Sequence, residues 1–227
     1  ADASIVLPEN YSPPNGNQLA IYDFNEMTTG NDTDVDGTAI TYAIIGGNDG
    51  LLGNNPDKPY FSLNTETGVV SVTSEIFGYL GLNYEIDNQH VLSLMGTDGT
   101  ASVPFTLTID LTDLNERPEL STGGQANLVE NAIWPEGQNI FDTNDFRTQT
   151  DFDQDGDTIT YSITNGNQLG YFEINEDAGI VSLTNLGRAS INFESGTTSY
   201  VLAIRATEDH VDGLFDEEDR TINILDR

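Results

Sequence analysis

The amino-acid sequence predicts an all-β protein built from two tandem, seven-stranded Greek-key sandwiches. The same series of short segments occurs once in each half of the chain, and Gly, Asn, Asp and Pro separate the segments. Within the segments apolar and polar residues alternate, as they do in half-buried strands. No stretch of a dozen residues combines a 3.6-residue apolar period with capping residues, so we expect almost no helix. Seven short strands in about 100 residues without helices are typical of a Greek-key sandwich.

A tandem duplication explains why the segments recur in the same order. The segment DTDVDGTAITYAIIGGN begins at Asp32 and returns as DFDQDGDTITYSITNGN at Asp151, and YFSLNTETGVVSVT at Tyr60 returns as YFEINEDAGIVSLT at Tyr171. LNYE likewise returns as INFE, and HVLSLMGTD returns as YVLAIRATE. The paired segments lie about 110 to 120 residues apart, which is the length of one domain. We therefore divide the chain into repeat 1, residues 1–115, and repeat 2, residues 116–227.

Alternation along each repeat gives the positions of its strands in order. The clearest case runs from Val103 to Leu111, where every second residue is apolar and the residues between are polar or proline. The predicted strands of repeat 1 are 4–7, 18–24, 38–45, 60–64, 68–73, 90–97 and 103–112. Those of repeat 2 are 126–129, 138–142, 157–164, 171–174, 179–184, 199–206 and 219–225.

The carboxylate-rich loop before the third strand of each repeat raises the question of a helix-loop-helix calcium site. Such a site needs a bidentate Glu at position 12 of its loop. Counting from Asp151 places Ser162 at position 12, and the residues that follow Gly156 are β-branched or aromatic and alternate. The segment is therefore better interpreted as an acidic loop that leads into a strand.

The charge of the chain excludes several functions. There are 38 acidic residues against 7 basic ones, a net charge of −31, which repels nucleic acid and anionic lipid. Two explanations remain open. Dispersed acids such as Glu26, Glu173 and Glu176 suit a surface adapted to high salt, whereas the repeated DxDxDG loops suit clusters made for divalent cations. There are no cysteines for disulfides or thiolate sites. No apolar run is long enough for membrane insertion, and the sequence shows no charged-then-apolar start of the kind that marks a signal peptide. A removed signal peptide and a far larger parent chain are both compatible with this sequence.

The segments resemble the cadherin repeat, and the resemblance covers nearly the whole chain. The matching motifs in repeat 1 are PEN at 8–10, DVDG at 34–37, ITYAI at 40–44, YFSLNTETGVVSV at 60–72, LNYE at 82–85, GTD at 96–98 and DLNERP at 113–118. Four positions depart from the animal pattern, in which Asp is usual: Asn83, Asn192, Glu116 and Glu208. Together with DGDTITYS, these departures resemble the bacterial cadherin-like branch found in large secreted or surface proteins.

The resemblance implies that Ca²⁺ binds at the junction of the two repeats. Calcium takes six to eight oxygen ligands, and several carboxylates packed together need a cation to remain ionised. Carried over residue by residue, the ligands are Glu9, Glu85, Asp113, Leu114 (through its carbonyl), Asn115 and Glu116, followed by Asp151, Asp153, Asp155 and Glu208, with Asp209 as a further candidate. Two half-sites, Asp34, Asp36 and Asp98 in one and Glu130, Glu194 and Asp226 in the other, would face neighbouring repeats. We therefore expect the chain to be part of a longer array.

The function implied by the resemblance is a calcium-rigidified extracellular adhesion and spacer module of a larger bacterial surface or secreted protein. Its partners would be adjacent repeats of the same chain, and homophilic contacts or polysaccharide and protein ligands at surfaces. The alternative is a calcium-dependent polysaccharide- or peptide-binding module that uses aromatic residues such as Tyr11, Tyr22, Tyr79 and Trp134. No motif of a catalytic nucleophile, zinc protease or phosphate-binding loop occurs, so we do not expect an enzyme.

Overall fold

The computed structural model describes residues 2–9, 19–24, 34–48, 59–73, 82–121, 124–130, 132–135, 139–143 and 151–227. The chain divides into two compact units, Ala1–Leu114 and Asn115–Arg227. We call them unit 1 and unit 2. None of the described helices is long and apolar enough to cross a membrane.

Unit 1 consists of a four-stranded sheet and a three-stranded sheet that enclose one core. Its strands are β1 (Ala3–Pro8), β2 (Leu19–Asp23), β3 (Thr41–Gly46), β4 (Phe61–Leu63), β5 (Val69–Val72), β6 (Gln89–Thr97) and β7 (Ser102–Thr112). The sheet orders are β1-β7-β6-β3 and β2-β5-β4, and β1 runs parallel to β7. Leu92, Leu107 and Ile109 from the first sheet pack against Phe61 and Val70 from the second.

Unit 2 repeats this arrangement. Its elements are β8 (Gly124–Val129), β9 (Asn139–Asp142), β10 (Ile159–Asn165), β11 (Phe172–Ile174), β12 (Ile180–Leu183), α1 (Asn185–Ser190), a 3-10 turn (Phe193–Ser195), β13 (Ser199–Glu208) and β14 (Phe215–Leu225). The sheet orders are β10-β13-β14-β8 and β11-β12-β9, with β8 parallel to β14. Its core includes Leu128, Val181, Leu202, Ile204 and Ile222. The prediction of two all-β sandwiches is confirmed.

The duplication extends to individual hydrogen bonds. In unit 1 the side-chain amide of Asn48 donates to the carbonyl of Phe61 at 2.6 Å and accepts from its N–H at 3.0 Å. Asn167 makes the same pair of bonds with Phe172, at 2.7 and 3.0 Å. In both units the amide therefore ties the segment after the third strand to the opposite sheet.

Two local differences from the prediction have simple causes. The apolar alternation of β7 does not bury Val103, which is 63% exposed, because it pairs with Gly96 near the β6–β7 turn. The short helix α1 was not predicted. Its N-cap is Thr184, whose side chain accepts a hydrogen bond from the Gly187 N–H at 3.0 Å. Six residues are too few to show a helical period.

Candidate metal centres

In unit 1, three predicted acidic ligands converge at one end of the four-stranded sheet. The parallel pairing of β1 with β7 brings Glu9 beside Asp113, since the N–H of Glu9 donates to the Thr112 carbonyl at 3.1 Å. Glu85 completes the group, and ligand oxygens of the three carboxylates lie within 4.8 Å of one another. The main chain of β1 and β7 thus positions this group.

Glu9 is the buried member of the group, with only 1% of its surface exposed. One carboxylate oxygen accepts from the N–H of Tyr84 at 2.8 Å and the other from the N–H of Leu114 at 2.7 Å. Burial raises the pKa of Glu9, the two backbone hydrogen bonds oppose this, and the charges of Glu85 and Asp113 raise it further. A cation at this place would offset both the burial and the repulsion.

In unit 2, the acidic loop lies beside the segment that follows Leu114. The backbones of Glu119 and Phe152 exchange two hydrogen bonds, at 2.8 and 3.2 Å. The N–H of Glu116 donates to an Asp155 carboxylate oxygen at 2.8 Å. The side-chain amide of Asn115 donates to Glu208 Oε1 at 2.6 Å. Asn115, Glu116, Asp155 and Glu208, all predicted ligands, are thus brought together within this unit.

Besides Asp151 Oδ2, three carboxylate oxygens in this region are buried without a hydrogen-bond partner among the described residues. They are Asp153 Oδ2, Asp157 Oδ2 and Glu208 Oε2. Burial is the main cause that raises the pKa of Asp153, and the charges of Asp155, Asp157 and Glu208 add to it. An ionised oxygen that is buried without a partner costs free energy unless a cation is bound. These oxygens are therefore suited to hold a divalent cation.

Asp157 was missed by the sequence analysis, which stopped at Gly156. The DG turn folds back on itself, so that Asp153 Oδ1 accepts from the N–H of Asp157 at 3.1 Å. This bond brings Asp157 back toward Asp153. The signal that could have found it is the third carboxylate in DQDGD, at a position where repeat 1 has Thr38.

Asp151 lies in a different environment from the other predicted ligands. Its Oδ1 atom accepts from the N–H of Ser121 at 2.7 Å, and burial raises its pKa. Burial raises the pKa of Tyr161, and the negative charge of Asp151 raises it further. Burial lowers the pKa of Arg220, and the charge of Asp151 opposes this lowering. Arg220 is almost completely buried and donates to the carbonyl of Ser121. The structure places Asp151 in this polar network of the unit 2 interior. Among the described residues it belongs to no group of converging acidic side chains.

The two predicted half-sites differ in their geometry. Glu130, Glu194 and Asp226 repeat the group formed by Glu9, with ligand oxygens within 4.8 Å of one another. Glu130 accepts from the N–H of Phe193 at 2.6 Å, as Glu9 accepts from Tyr84. Asp34, Asp36 and Asp98 do not form such a group among the described residues. Instead Asp34 accepts from the N–H of Asp36, and Asp98 from that of Ala101.

The aromatic residues of the alternative function are only partly described. Trp134 packs against the core of unit 2, and its Nε1–H donates to the carbonyl of Val129 at 3.2 Å. Tyr22 is half-buried and contacts the ring of Phe24, with centroids 4.6 Å apart. Tyr11 and Tyr79 lie outside the described residues. The described pair thus takes part in packing.

Comparison with curated proteins finds cadherins. Human Protocadherin Fat 1 is 30% identical over 147 residues, which is 62% of this chain and 3% of that protein. Human Cadherin-18 is 28% identical over 204 residues, which is 87% of this chain and 23% of that protein. The chain thus spans only a small part of these relatives. No model of a protein family matches the chain.

Solved cadherin structures share the fold. Human Protocadherin-24 EC1-2 matches with a TM-score of 0.55 at 19% identity, and the match covers 100% of this chain and 95% of the protocadherin chain. Human CDH23 EC21-23 has a TM-score of 0.56 at 18% identity, covering 98% and 67%. The protocadherin GammaB4 extracellular domain has a TM-score of 0.50 at 14% identity, covering 99% and 33%. The chain therefore has the cadherin fold in two tandem units, and its curated relatives are cadherins.

Proposed function

We propose that the chain is a calcium-stabilised adhesion and spacer module of a larger extracellular protein. In this proposal Ca²⁺ binds where the two repeats join, at Leu114 and Asn115. The observation that carries the proposal is the set of buried, unpartnered carboxylate oxygens of Asp153, Asp157 and Glu208. The curated relatives are cadherins, and one solved structure with this fold is described as an extracellular domain, which supports adhesion and an extracellular location.

The ligand set combines the acidic groups at the end of unit 1 and the start of unit 2. Leu114, the last residue of unit 1, donates its N–H to Glu9, and Asn115, the first of unit 2, donates to Glu208. These residues are consecutive, so the two groups are joined by a single peptide bond. The proposed ligands are all oxygen donors, which Ca²⁺ accepts in flexible number and Mg²⁺ in a strict octahedron. They are Glu9, Glu85, Asp113, the carbonyl of Leu114, Asn115, Glu116, Asp153, Asp155, Asp157 and Glu208.

Two finer parts of the proposal rest on the sequence. The first is a bacterial origin, supported by the DGDTITYS segment and by Glu116 and Glu208 in place of the usual Asp. The second is that the chain binds and connects and does not catalyse, supported by the lack of a catalytic motif in the sequence. The partners we propose are neighbouring repeats and surface ligands, including other copies of the chain.

The spacer role can be tested by small-angle X-ray scattering with and without calcium. Without metal, the acidic groups should repel one another across the linker, and the distribution of maximum dimensions should be broad. Saturation with Ca²⁺ should narrow it. At about 100 times its dissociation constant, each ion would add about 2.7 kcal/mol of stabilisation, enough to order a short linker. The double variant Asp153→Ala/Asp155→Ala should lose this response while both units remain folded.

The control is a double variant that removes two exposed carboxylates belonging to no group of converging acids, Glu66→Gln/Asp219→Asn, which should respond to calcium as the unmodified chain does. If scattering of the unmodified chain is the same in chelator and in excess Ca²⁺, the metal-locked spacer is wrong. Calcium-dependent binding to polysaccharide without any change in scattering would instead favour the ligand-binding alternative.

A further inference from the structure

A histidine lies beside the acidic loop of unit 2. Ligand atoms of Asp157, Glu208 and His210 lie within 4.8 Å of one another. The main chain determines this grouping: Glu208 pairs with Ile159 in the β10–β13 ladder, and the N–H of Asp209 donates to the Thr158 carbonyl at 2.8 Å. The residue before Thr158 and the residue after Asp209 are therefore held side by side.

Glu208 provides a second, independent sign of a ligand at this place. Its surface is only 3% exposed. Its Oε1 atom accepts from the side chain of Asn115 at 2.6 Å and from the N–H of Leu214 at 3.1 Å. Its Oε2 atom is buried and has no hydrogen-bond partner among the described residues, and the same is true of Asp157 Oδ2. Each carboxylate thus keeps one buried oxygen available for an ion.

The histidine changes the chemistry of the group. Calcium is bound by oxygen alone, whereas a neutral imidazole nitrogen is a preferred ligand of zinc and other transition metals. The Nδ1 atom of His210 lies 3.9 Å from Glu208 Oε1. One imidazole and two carboxylates, with water in the fourth position, form a tetrahedral zinc shell. In such a shell neighbouring ligand atoms are about 3.4 Å apart. The same nitrogen accepts from the N–H of Asp212 at 3.4 Å and lies 3.8 Å from the Asp212 carboxylate, so zinc binding would require a small shift of the partly exposed ring that replaces this contact.

Repeat 1 lacks both additional ligands. The residues that correspond to Asp157 and His210 are Thr38 and Thr100, although the acid at Glu208 has a counterpart in Asp98. The acidic pattern shared by the repeats therefore does not account for the histidine. The combination of Asp157 with His210 is specific to repeat 2.

We propose that Asp157, Glu208 and His210 bind a Zn²⁺ ion. The site uses residues of unit 2 only and does not depend on calcium binding. It shares Asp157 and Glu208 with the proposed calcium ligands, so Zn²⁺ and Ca²⁺ compete for two carboxylates. A rise in zinc would then weaken calcium binding by the chain.

The test is a titration of the chelator-treated chain with Zn²⁺ alone, followed by calorimetry and by NMR of the histidine rings. The chain has two histidines, so His90, in unit 1, serves as an internal reference. One Zn²⁺ should bind, shifting the ring signals of His210 and leaving those of His90 in place. Because loss of even an indirect metal partner costs about 10- to 100-fold in affinity, His210→Ala should weaken Zn²⁺ binding at least about tenfold.

Two controls separate this site from general attraction to acids. Asp219→Asn removes an exposed charge outside the group and should change Zn²⁺ affinity by less than about twofold. His210→Ala should leave Ca²⁺ affinity unchanged, because no calcium ligand is removed. The proposal is overturned if Zn²⁺ at saturation leaves the His210 ring unshifted, or if Asp219→Asn and His210→Ala weaken Zn²⁺ binding equally. If the unmodified chain binds Zn²⁺ through His210 but does not bind Ca²⁺, the zinc proposal stands and only the proposed function is contradicted.

Discussion

Glu9 and Glu130 occupy the same place in the two repeats and show how a single carboxylate connects local structure to a metal group. Each receives a backbone N–H bond from the LNYE or INFE segment, at 2.8 Å from Tyr84 and 2.6 Å from Phe193. The backbone N–H of each glutamate also donates to a carbonyl at the end of the final strand of its unit, that of Thr112 for Glu9 and that of Leu225 for Glu130. The glutamate thus closes one end of its sandwich while its charge faces two other acids.

The raised pKa of Glu9 predicts how the stability of the metal-free chain depends on pH. Burial is its main cause, so the folded state keeps a proton at a pH where the unfolded chain, with a pKa near 4.5, has lost it. Stability should therefore fall as pH rises from the ordinary carboxylate range through the raised value. Saturating Ca²⁺ should remove this loss, because calcium stabilises the ionised form.

Urea unfolding in chelator, measured between about pH 4 and 7, checks this for the unmodified chain and for Glu9→Gln. The variant has no proton to lose at this position, so its stability should depend less on pH. Equal slopes for the two proteins would contradict the prediction, whatever their absolute stabilities.

The buried pair of Asp151 and Arg220 gives a second prediction for single residues. Arg220 occupies the place that Leu107 has in unit 1, and its guanidinium lies over the ring of Phe141 at 5.6 Å. Asp151→Ala should destabilise unit 2 by about 1 to 3 kcal/mol, because it removes the largest of three opposing charges near Arg220 and leaves the N–H of Ser121 buried without its acceptor. Thermal unfolding compares it with Asp212→Asn, an exposed control. A loss no larger than that of the control would show that the two charges do not interact.

At the scale of elements, the strand pattern was predictable and the exceptions are short or depend on loops. β6 and β13 were predicted within about two residues because alternation extends over their whole length. The helix Asn185–Ser190 was not, since its only local signal is the Thr184 cap. At the site, Asp157 was missed, and the sequence did not indicate that Asp151, a predicted ligand, accepts from the N–H of Ser121 and lies near the buried Arg220. The direction of a side chain in a loop depends on the type of turn, and the alternation of apolar and polar residues predicts strands but not turn geometry.

A glycine at the end of the third strand gives a prediction at this scale. Gly166 has φ of +83°, and a Cβ atom there would overlap the carbonyl oxygen of Val201. Gly47 in unit 1 meets Val91 in the same way. Gly166→Ala should therefore cost the left-handed strain of about 1–2 kcal/mol and also separate β10 from β13. Gly170, with φ of +68° and open space around it, is the matched control.

Unfolding of Gly166→Ala and Gly170→Ala separates the two causes. The first should lose at least about 1 kcal/mol more than the second, because only it forces two backbones apart. Equal losses would mean that β10 and β13 adjust freely and that the close approach is not important for the sheet.

At the scale of the whole molecule, the proposed binding of Ca²⁺ would explain both the large negative charge and the acidic groups of the two units. A net charge of −31 destabilises the compact state by self-repulsion, and part of that charge is gathered near Leu114 and Asn115 within each unit. If Ca²⁺ relieves this repulsion, metal should stabilise the tandem far more than an equal ionic strength of sodium chloride. Magnesium should act more weakly because it keeps its water and requires a strict octahedron.

Calorimetric titration of the chelator-treated chain with Ca²⁺ tests the central claim most directly. We predict saturable binding with dissociation constants of about 0.1 to 1 mM, weaker binding of Mg²⁺, and loss of the sites at the junction in Asp153→Asn/Asp155→Asn. The control Glu66→Gln/Asp219→Asn should bind as the unmodified chain does. Binding that is equal for Ca²⁺ and Mg²⁺ and is unchanged in both double variants would contradict the claim, since it would show only diffuse attraction of cations to an acidic surface.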